Sequence, residues 1–353
     1  MNETIQMKEL ESMEMDESCI KQITTMIELL GDDNFFSLDR SSRGIEMKYD
    51  GCVGLLSFKD GTMYNLTPDL KLPRSSETSS RILMEMLYST FGMNSKSGYT
   101  ANLFEFFVRV FIGTVSKLIS RGLRSMYHPV SGNEKSFKGR IVFNEHIRQN
   151  YIHKERIFVE YEEYSQNRPE NRLIKTTLEA LSRRTTDSRN IKGLKTLLMT
   201  LEEIPTSVDV DKDLSKVNID RNMIDYVSSM FWCYVFLKGM GLAGASEDNL
   251  SYAMLLRTRS LYSAYVAKMS SIDRTEGLYQ IKYSADVKNE GGAKGTSVIV
   301  IDLEWSFYDR EKDVSMRDAE ELFLSAPGYR VIPSIKGDRL KSMAGSYLSD
   351  ALA

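Results

Sequence analysis

Apolar residues recur along this chain at two spacings, one helical and one alternating. Over residues 5–30 the positions Met7, Leu10, Met13, Ile20, Ile23, Ile27 and Leu30 keep a helical spacing. Gly31-Asp32-Asp33 then stops the run, so one N-terminal helix is predicted. Over 44–66 the period becomes two. Ile45–Tyr49 alternates, Asp50-Gly51 turns, Val53–Phe58 reads as a strand, and Lys59-Asp60-Gly61 turns the chain into Met63–Leu66. Helices are predicted at 79–91 and 101–123, the second with Phe104, Phe107, Phe111, Val115 and Leu118 on one stripe. Residues 125–160 read as mixed, with strands at 137–143 and 157–161. Pro169 suits a first helical turn and opens a helix over 169–184, followed by helices at 190–203, 219–241, 250–270 and 316–324. Pro205–Lys216 reads as a polar connector.

Near the C-terminus, Val298-Ile299-Val300-Ile301 reads as a strand buried on both faces, and it runs into Asp302-Leu303-Glu304. Asp302 and Glu304 are two apart, so their side chains share a face. Asp286 lies on the preceding predicted strand, 278–286, across the loop Asn289–Gly295. Three carboxylates at paired strand ends can hold a hard divalent cation. A strand that simply ends in polar residues is the plainer reading of the same letters.

The 353 residues suffice for two domains. Cys19, Cys52 and Cys233 form no CxxC pair and, with His128, His146 and His153, no zinc-like spacing, so a reducing, cytoplasmic setting is expected. The start is acidic, unlike a secretory signal. Leu103–Leu123 carries Glu105, Arg109, Lys117 and Arg121, which suits a buried amphipathic helix and no membrane span. The net charge of -3 is unevenly spread. Residues 1–33 hold nine acids against Lys8 and Lys21, whereas 117–156 hold nine basic residues against Glu134, Glu145 and Glu155. Such a basic stretch suits phosphate backbones, or a solvated face balanced elsewhere. The chain has no GxxxxGK[ST] loop, no GxGxxG after a strand and no GxSxG elbow, so no nucleotide is expected to bind this chain alone.

The run Leu103-Phe104-Glu105-Phe106-Phe107, continuing through Leu118–Tyr127, resembles the McrC family, the nuclease-bearing subunits of McrBC-type modified-cytosine restriction systems. The similarity continues through Phe137-Lys138-Gly139-Arg140-Ile141, Ile147–Asn150, Phe158–Ser165 and Pro169-Glu170-Asn171-Arg172. The ordered set, over residues 53–181, carries the resemblance. It implies an α/β (α+β) chain with an N-terminal, β-containing and helical motor-docking domain, then a C-terminal PD-(D/E)xK restriction-endonuclease-like domain. The expected divisions are 1–40 (acidic helical extension), 41–162 (docking) and 163–353 (nuclease-like). The implied partners are an McrB-like AAA+ GTPase hexamer and double-stranded DNA with modified cytosine. The implied cofactor is Mg²⁺ or Mn²⁺.

Residue by residue, the resemblance places the metal at Asp286 and Asp302. The family's strand-end lysine is Glu304 here, and its helical acid within Leu-Phe-Glu is Ser263. Glu304 could bind metal or act as a base, and Lys288, two residues after Asp286, could serve as a migrated lysine. The alternative is a nuclease-degenerate adaptor that activates the motor without cutting. Within 125–156, Lys138, Arg140 and Arg148 are the expected contacts to motor or DNA phosphates.

Overall fold

The structure, a computed structural model, describes residues 4–42, 44–68, 76–93, 102–219, 223–242, 251–272, 278–290, 295–309 and 312–314. In chain order the elements are β1 (Thr4–Lys8), β2 (Met13–Glu14), α1 (Glu17–Leu30), β3 (Phe36–Ser41), β4 (Gly44–Tyr49), β5 (Cys52–Ser57), β6 (Met63–Thr67), α2 (Ser76–Thr90) and α3 (Leu103–Arg121). There follow β7 (Met126–Glu134), β8 (Arg140–Ile141), α4 (Phe143–Asn150), β9 (Ile157–Ser165), α5 (Pro169–Ser182), α6 (Ser188–Thr200), α7 (Val210–Lys216) and α8 (Ile224–Tyr234). After a π-helical turn at Val235–Gly239 come β10 (Ser251–Arg257), α9 (Thr258–Ile272), β11 (Leu278–Glu290), β12 (Thr296–Asp309) and β13 (Lys312–Val314). Among the described residues, no helix is long and apolar enough to cross a membrane. The helix expected at 316–324 lies outside the described residues.

Two compact units emerge, Met1–Val110 with Tyr234–Ala353, and Phe111–Cys233. They differ from the three consecutive segments expected at 1–40, 41–162 and 163–353. The first unit takes strands from both ends of the chain, and residue 162 falls inside β9 of the second.

The first unit is built on a sheet of order β1-β6-β5-β10-β12-β11, with β13 on β12. β10 and β12 run parallel, as do β1 and β6; the remaining neighbours are antiparallel. Residues 251–257 form this central strand and not the start of the helix expected at 250–270. A short all-apolar run has no period to separate the two, and here both faces are buried. Likewise 4–8 and 13–14 are strands, and α1 begins only at Glu17. Ile5 and Met7 fit a strand as well as a helix, and the open edge of β6 supplies hydrogen-bonding partners from Thr4↔Met63 to Lys8↔Thr67. Gly54 lets β5 approach β10: a Cβ there would lie 2.0 Å from the Met254 carbonyl oxygen.

One face of the sheet carries Ala253, Leu255, Val298 and Val300, and α1 covers it. Ile23 and Met26 are fully buried against this face. Each contributes about 2 kcal/mol by leaving water. The other face carries Met254, Leu256, Ile299 and Ile301, packed by α9 and the π-helical turn. Gly239 sits so close to Ile299 that a Cβ would meet it at 2.6 Å.

The second unit pairs a three-stranded sheet, β7-β9-β8, with helices α4 to α8. β7 and α4 were not expected from the sequence, and α7 forms within the predicted connector. Asn171 organises the helical part. Its amide donates to the carbonyls of Arg124 (3.1 Å) and Gln166 (2.8 Å), and its oxygen accepts from the Tyr226 hydroxyl at 2.9 Å. Pro169-Glu170-Asn171-Arg172 is therefore a buried scaffold: Arg168 pairs with Glu170 at 3.0 Å and Arg172 with Asp213.

Candidate functional site

Two places in the molecule are candidate sites, one in each unit. The first is where β10 ends beside the middle of β12, which runs on to Asp309. Their parallel register runs to Leu256↔Ile301, so the next residues, Arg257 and Asp302, are neighbours. Both follow the face covered by α1, since side chains alternate along a strand. The Arg257 Nε donates to Asp302 Oδ1 at 2.7 Å, and its Nη2 donates to both oxygens of Asp33 at 2.9 Å. The guanidinium lies 5.2 Å from the Phe35 ring centre. Burial works against the Arg257 charge, but the bond to Asp33 and the charges of Asp302 and Asp33 outweigh it and raise its pKa.

On β11, Ser284 pairs with Asp302 and Asp286 with Val300, so Asp286 and Asp302 occupy the same face one pleat apart. Asp286 is 63% exposed, and Lys288 Nζ stands 3.6 Å from its Oδ2. Glu304 pairs with Lys282 in the backbone register, and its side chain lies outside the described residues. Ser263, on α9, donates its hydroxyl to the carbonyl of Ser260 at 3.1 Å.

As a divalent-metal centre the described residues do not fit. Among them, no three His, Cys, Asp or Glu side chains gather. Asp302 already carries a guanidinium, and Asp286 an ammonium. A divalent ion about 5 Å from a guanidinium is repelled by roughly 7 kcal/mol at an effective dielectric near 20, a figure that the partial exposure of Arg257 lowers without removing. Sequence reading missed Arg257 and Asp33. The available signal was an arginine closing an all-apolar run, hidden because that run was read as helix.

The second place is the β-sheet end of the Phe111–Cys233 unit. β9 is central and pairs with β7 from Met126↔Ser165 to Glu134↔Ile157, and with β8 at Arg140↔Glu160 and Ile141↔Val159. Gly139 turns the chain into β8 with φ +59°, and a Cβ there would lie 2.3 Å from the Glu160 carbonyl oxygen. That explains glycine between Lys138 and Arg140. Arg140 pairs with Glu160, Arg148 with Glu145 at 2.7 Å, and Lys138 with Glu134 at 3.7 Å and with the face of the Tyr161 ring. The three cations stand at the surface, each beside an acid.

Around them lies unusual apolar exposure. Phe143, Ile147 and Tyr151 recur every fourth residue along α4 and just beyond it, and are 67%, 65% and 82% exposed. Tyr127 and Tyr164 pair across β7 and β9 with ring centres 4.9 Å apart, also exposed. α4 itself is fixed to the sheet by reciprocal 2.7 Å bonds between Asn133 and Asn150. An exposed apolar stripe of this size makes this face a candidate docking surface.

Comparison with curated protein sequences gives no match. Among solved structures, the fold is similar to a chain in the cryo-EM structure of the Thermococcus gammatolerans McrBC complex. That chain has a TM-score of 0.50 and 18% identity, with 76% of this chain and 87% of that chain covered. It is also similar to a chain in the refined half-complex from a tetradecameric assembly of Thermococcus gammatolerans McrB AAA+ hexamers with bound McrC. There the TM-score is 0.52 and the identity 15%, with 97% of this chain and 84% of that chain covered. A family model described as "McrBC 5-methylcytosine restriction system component" matches residues 47–315, well over half of the chain, and the protein belongs to that family.

Proposed function

We propose that this protein is an McrC-like subunit that docks on an McrB-like AAA+ GTPase hexamer through the β7-β9-β8 end of its Phe111–Cys233 unit and stimulates GTP hydrolysis there. The observation that carries the reading is the rigid, outward-facing stripe Phe143, Ile147 and Tyr151, with Arg140 and Arg148 beside it. An apolar centre supplies affinity and the flanking charges set orientation and partner choice. The neighbour whose structure was solved as McrB hexamers with bound McrC supports this choice of partner. The test is to mix the purified chain with a ring of this type and measure GTP hydrolysis and particle mass. Stimulation of roughly tenfold, within the usual range of coupling between sites, together with a joint assembly, is expected. A ring whose rate and mass do not change on adding the chain would overturn the proposal.

A second reading adds metal-dependent cleavage of DNA bearing modified cytosine. It is favoured by one observation, that Asp286 and Asp302 occupy the same face one pleat apart; it requires both to exchange their present cations, Lys288 and Arg257, for the metal, and so competes with those ion pairs. Cleavage of modified DNA by the assembled complex with GTP and Mg²⁺, lost in Asp286→Asn, would support it. Absence of cutting in an assembly with stimulated GTP hydrolysis would leave the docking role alone.

A further inference from the structure

The end of β10, beside the middle of β12, holds a feature that neither the docking surface nor the family match accounts for. Asp302 is bound to a guanidinium, and that guanidinium is held by the segment preceding residue 47, where the family match begins. The placement follows from the fold. Val298 and Val300 pack in the core that includes Ile23, Met26 and Leu30, and Asp302 continues the same face just past it. α1 ends at Gly31, whose φ of +66° turns the chain back. Asp33 and Phe35 then reach Arg257 at the end of β10. Arg257 thus has a carboxylate on two sides and an aromatic ring near it, and the strand register brings its backbone beside Asp302.

We propose that Arg257 is the resident cation of this strand end: it neutralises Asp302 in place of a divalent metal, and the N-terminal segment holds it there through Asp33 and Phe35. The arrangement explains why an acidic N-terminal segment packs onto a sheet face that bears further acids. One fixed positive charge is shared between Asp33 and Asp302, and the apolar face of α1 anchors the segment that supplies Asp33. It makes the strand end a structural joint between the N-terminal segment and the sheet. Arg257 acts as a positioning residue, holding Asp302 in an ion pair.

The inference rests on the family reading of β12 as the strand bearing the nuclease-like acids, and its test is independent of docking. Mn²⁺ is titrated into the full chain and followed by electron paramagnetic resonance, alongside Asp302→Asn. Superimposable curves are expected; a stoichiometric site present in the natural sequence and lost in Asp302→Asn would overturn the proposal. Arg257→Met leaves Asp33 and Asp302 without their shared cation. Its melting temperature should fall by about 5 °C, and millimolar Mn²⁺ should recover part of that loss while leaving the natural chain unmoved. An unchanged melting temperature in Arg257→Met would also overturn the proposal. Where Arg257→Met does not fold, Arg257→Lys, which keeps the charge, should fold and remain insensitive to Mn²⁺; an Mn²⁺ response in it counts against the assignment. Loss of GTPase stimulation in none of these variants is expected, so a failed docking proposal and a failed cation assignment give different results.

Discussion

Arg172 grips Asp213 through two parallel hydrogen bonds, Nε to Oδ2 at 2.9 Å and Nη2 to Oδ1 at 2.6 Å. Ser207 adds a third bond to Oδ2 at 2.6 Å. Burial pushes the Asp213 carboxyl up, but the bonds from Arg172 and Ser207 and the Arg172 charge outweigh it and hold its pKa below the usual aspartate range. A carboxyl with a lowered folded-state pKa stabilises the fold above its unfolded value, and that stability is lost as pH falls through the folded value. Asp213→Asn should therefore cost about 3 kcal/mol at neutral pH, as breaking a largely buried pair does. The difference from the natural chain should shrink once pH drops below the ordinary aspartate range. Urea melts of both chains across pH 2–7 (roughly the span of carboxylate titration) check this; a difference that stays constant with pH would count against it.

Gly139 has a left-handed backbone and no room for a side chain beside the Glu160 carbonyl. Gly139→Ala should destabilise the β8–β9 pair by about 2 kcal/mol or more. Hydrogen exchange at Val142, whose N–H donates to the Phe158 carbonyl at 3.1 Å, should quicken in the variant while the helices α5 and α6 keep their protection. Uniform protection in both chains would show that the close approach is not required.

Phe143 and Ile147 are exposed and pack little within the unit. Phe143→Ser with Ile147→Ser should leave thermal stability within about 0.5 kcal/mol, as surface changes do. The same pair of changes should reduce GTPase stimulation of an McrB-like ring by roughly tenfold or more, because buried aromatic and aliphatic anchors dominate interfaces. Arg140→Glu and Arg148→Glu should slow association and steepen or invert its salt dependence. Full stimulation by the double serine variant would remove α4 from the interface.

The segment before residue 47 is part of the first unit's core. Ile23→Ala should cost 2–5 kcal/mol (an order-of-magnitude range for a buried aliphatic truncation). A chain beginning at residue 47 should lose the melting transition of the first unit while the Phe111–Cys233 unit keeps its own, since it lacks α1 and exposes the edge of β6. A first-unit transition kept in that shortened chain, read at amides of β5 and β10, would show the segment to be dispensable.

What the sequence revealed depended on whether order along the chain matched neighbourhood in space. The β5–β6 hairpin around Gly61 was legible because turn chemistry and alternation lie within one local stretch, whereas the strands on either side of Gly51, β4 and β5, enter different sheets. The helix α3 was legible through its stripe and α5 through Pro169 in its first turn. β10 was not, because Tyr252–Leu256 is apolar throughout and the deciding fact is its place between β5 and β12. β1 was lost for a related reason, its strand character coming from an edge 60 residues away. Asp302 stood out in the sequence, whereas its partners did not. Asp33 lies 224 residues from Arg257, a separation no local pattern spans.

The discontinuous sheet also sets an order of assembly during synthesis. Phe111–Cys233 is contiguous, so all of its strand pairings can close while the remainder of the chain is still on the ribosome. β5 and β6 emerge early but must wait for β10, and β10 for β12, before the central sheet is complete. Closing contacts between residues 53 and 256 is slow, since a long loop has to be ordered first. During that interval Val53–Leu56 presents an apolar strand edge with no partner on one side, the state most open to aggregation and most in need of a chaperone.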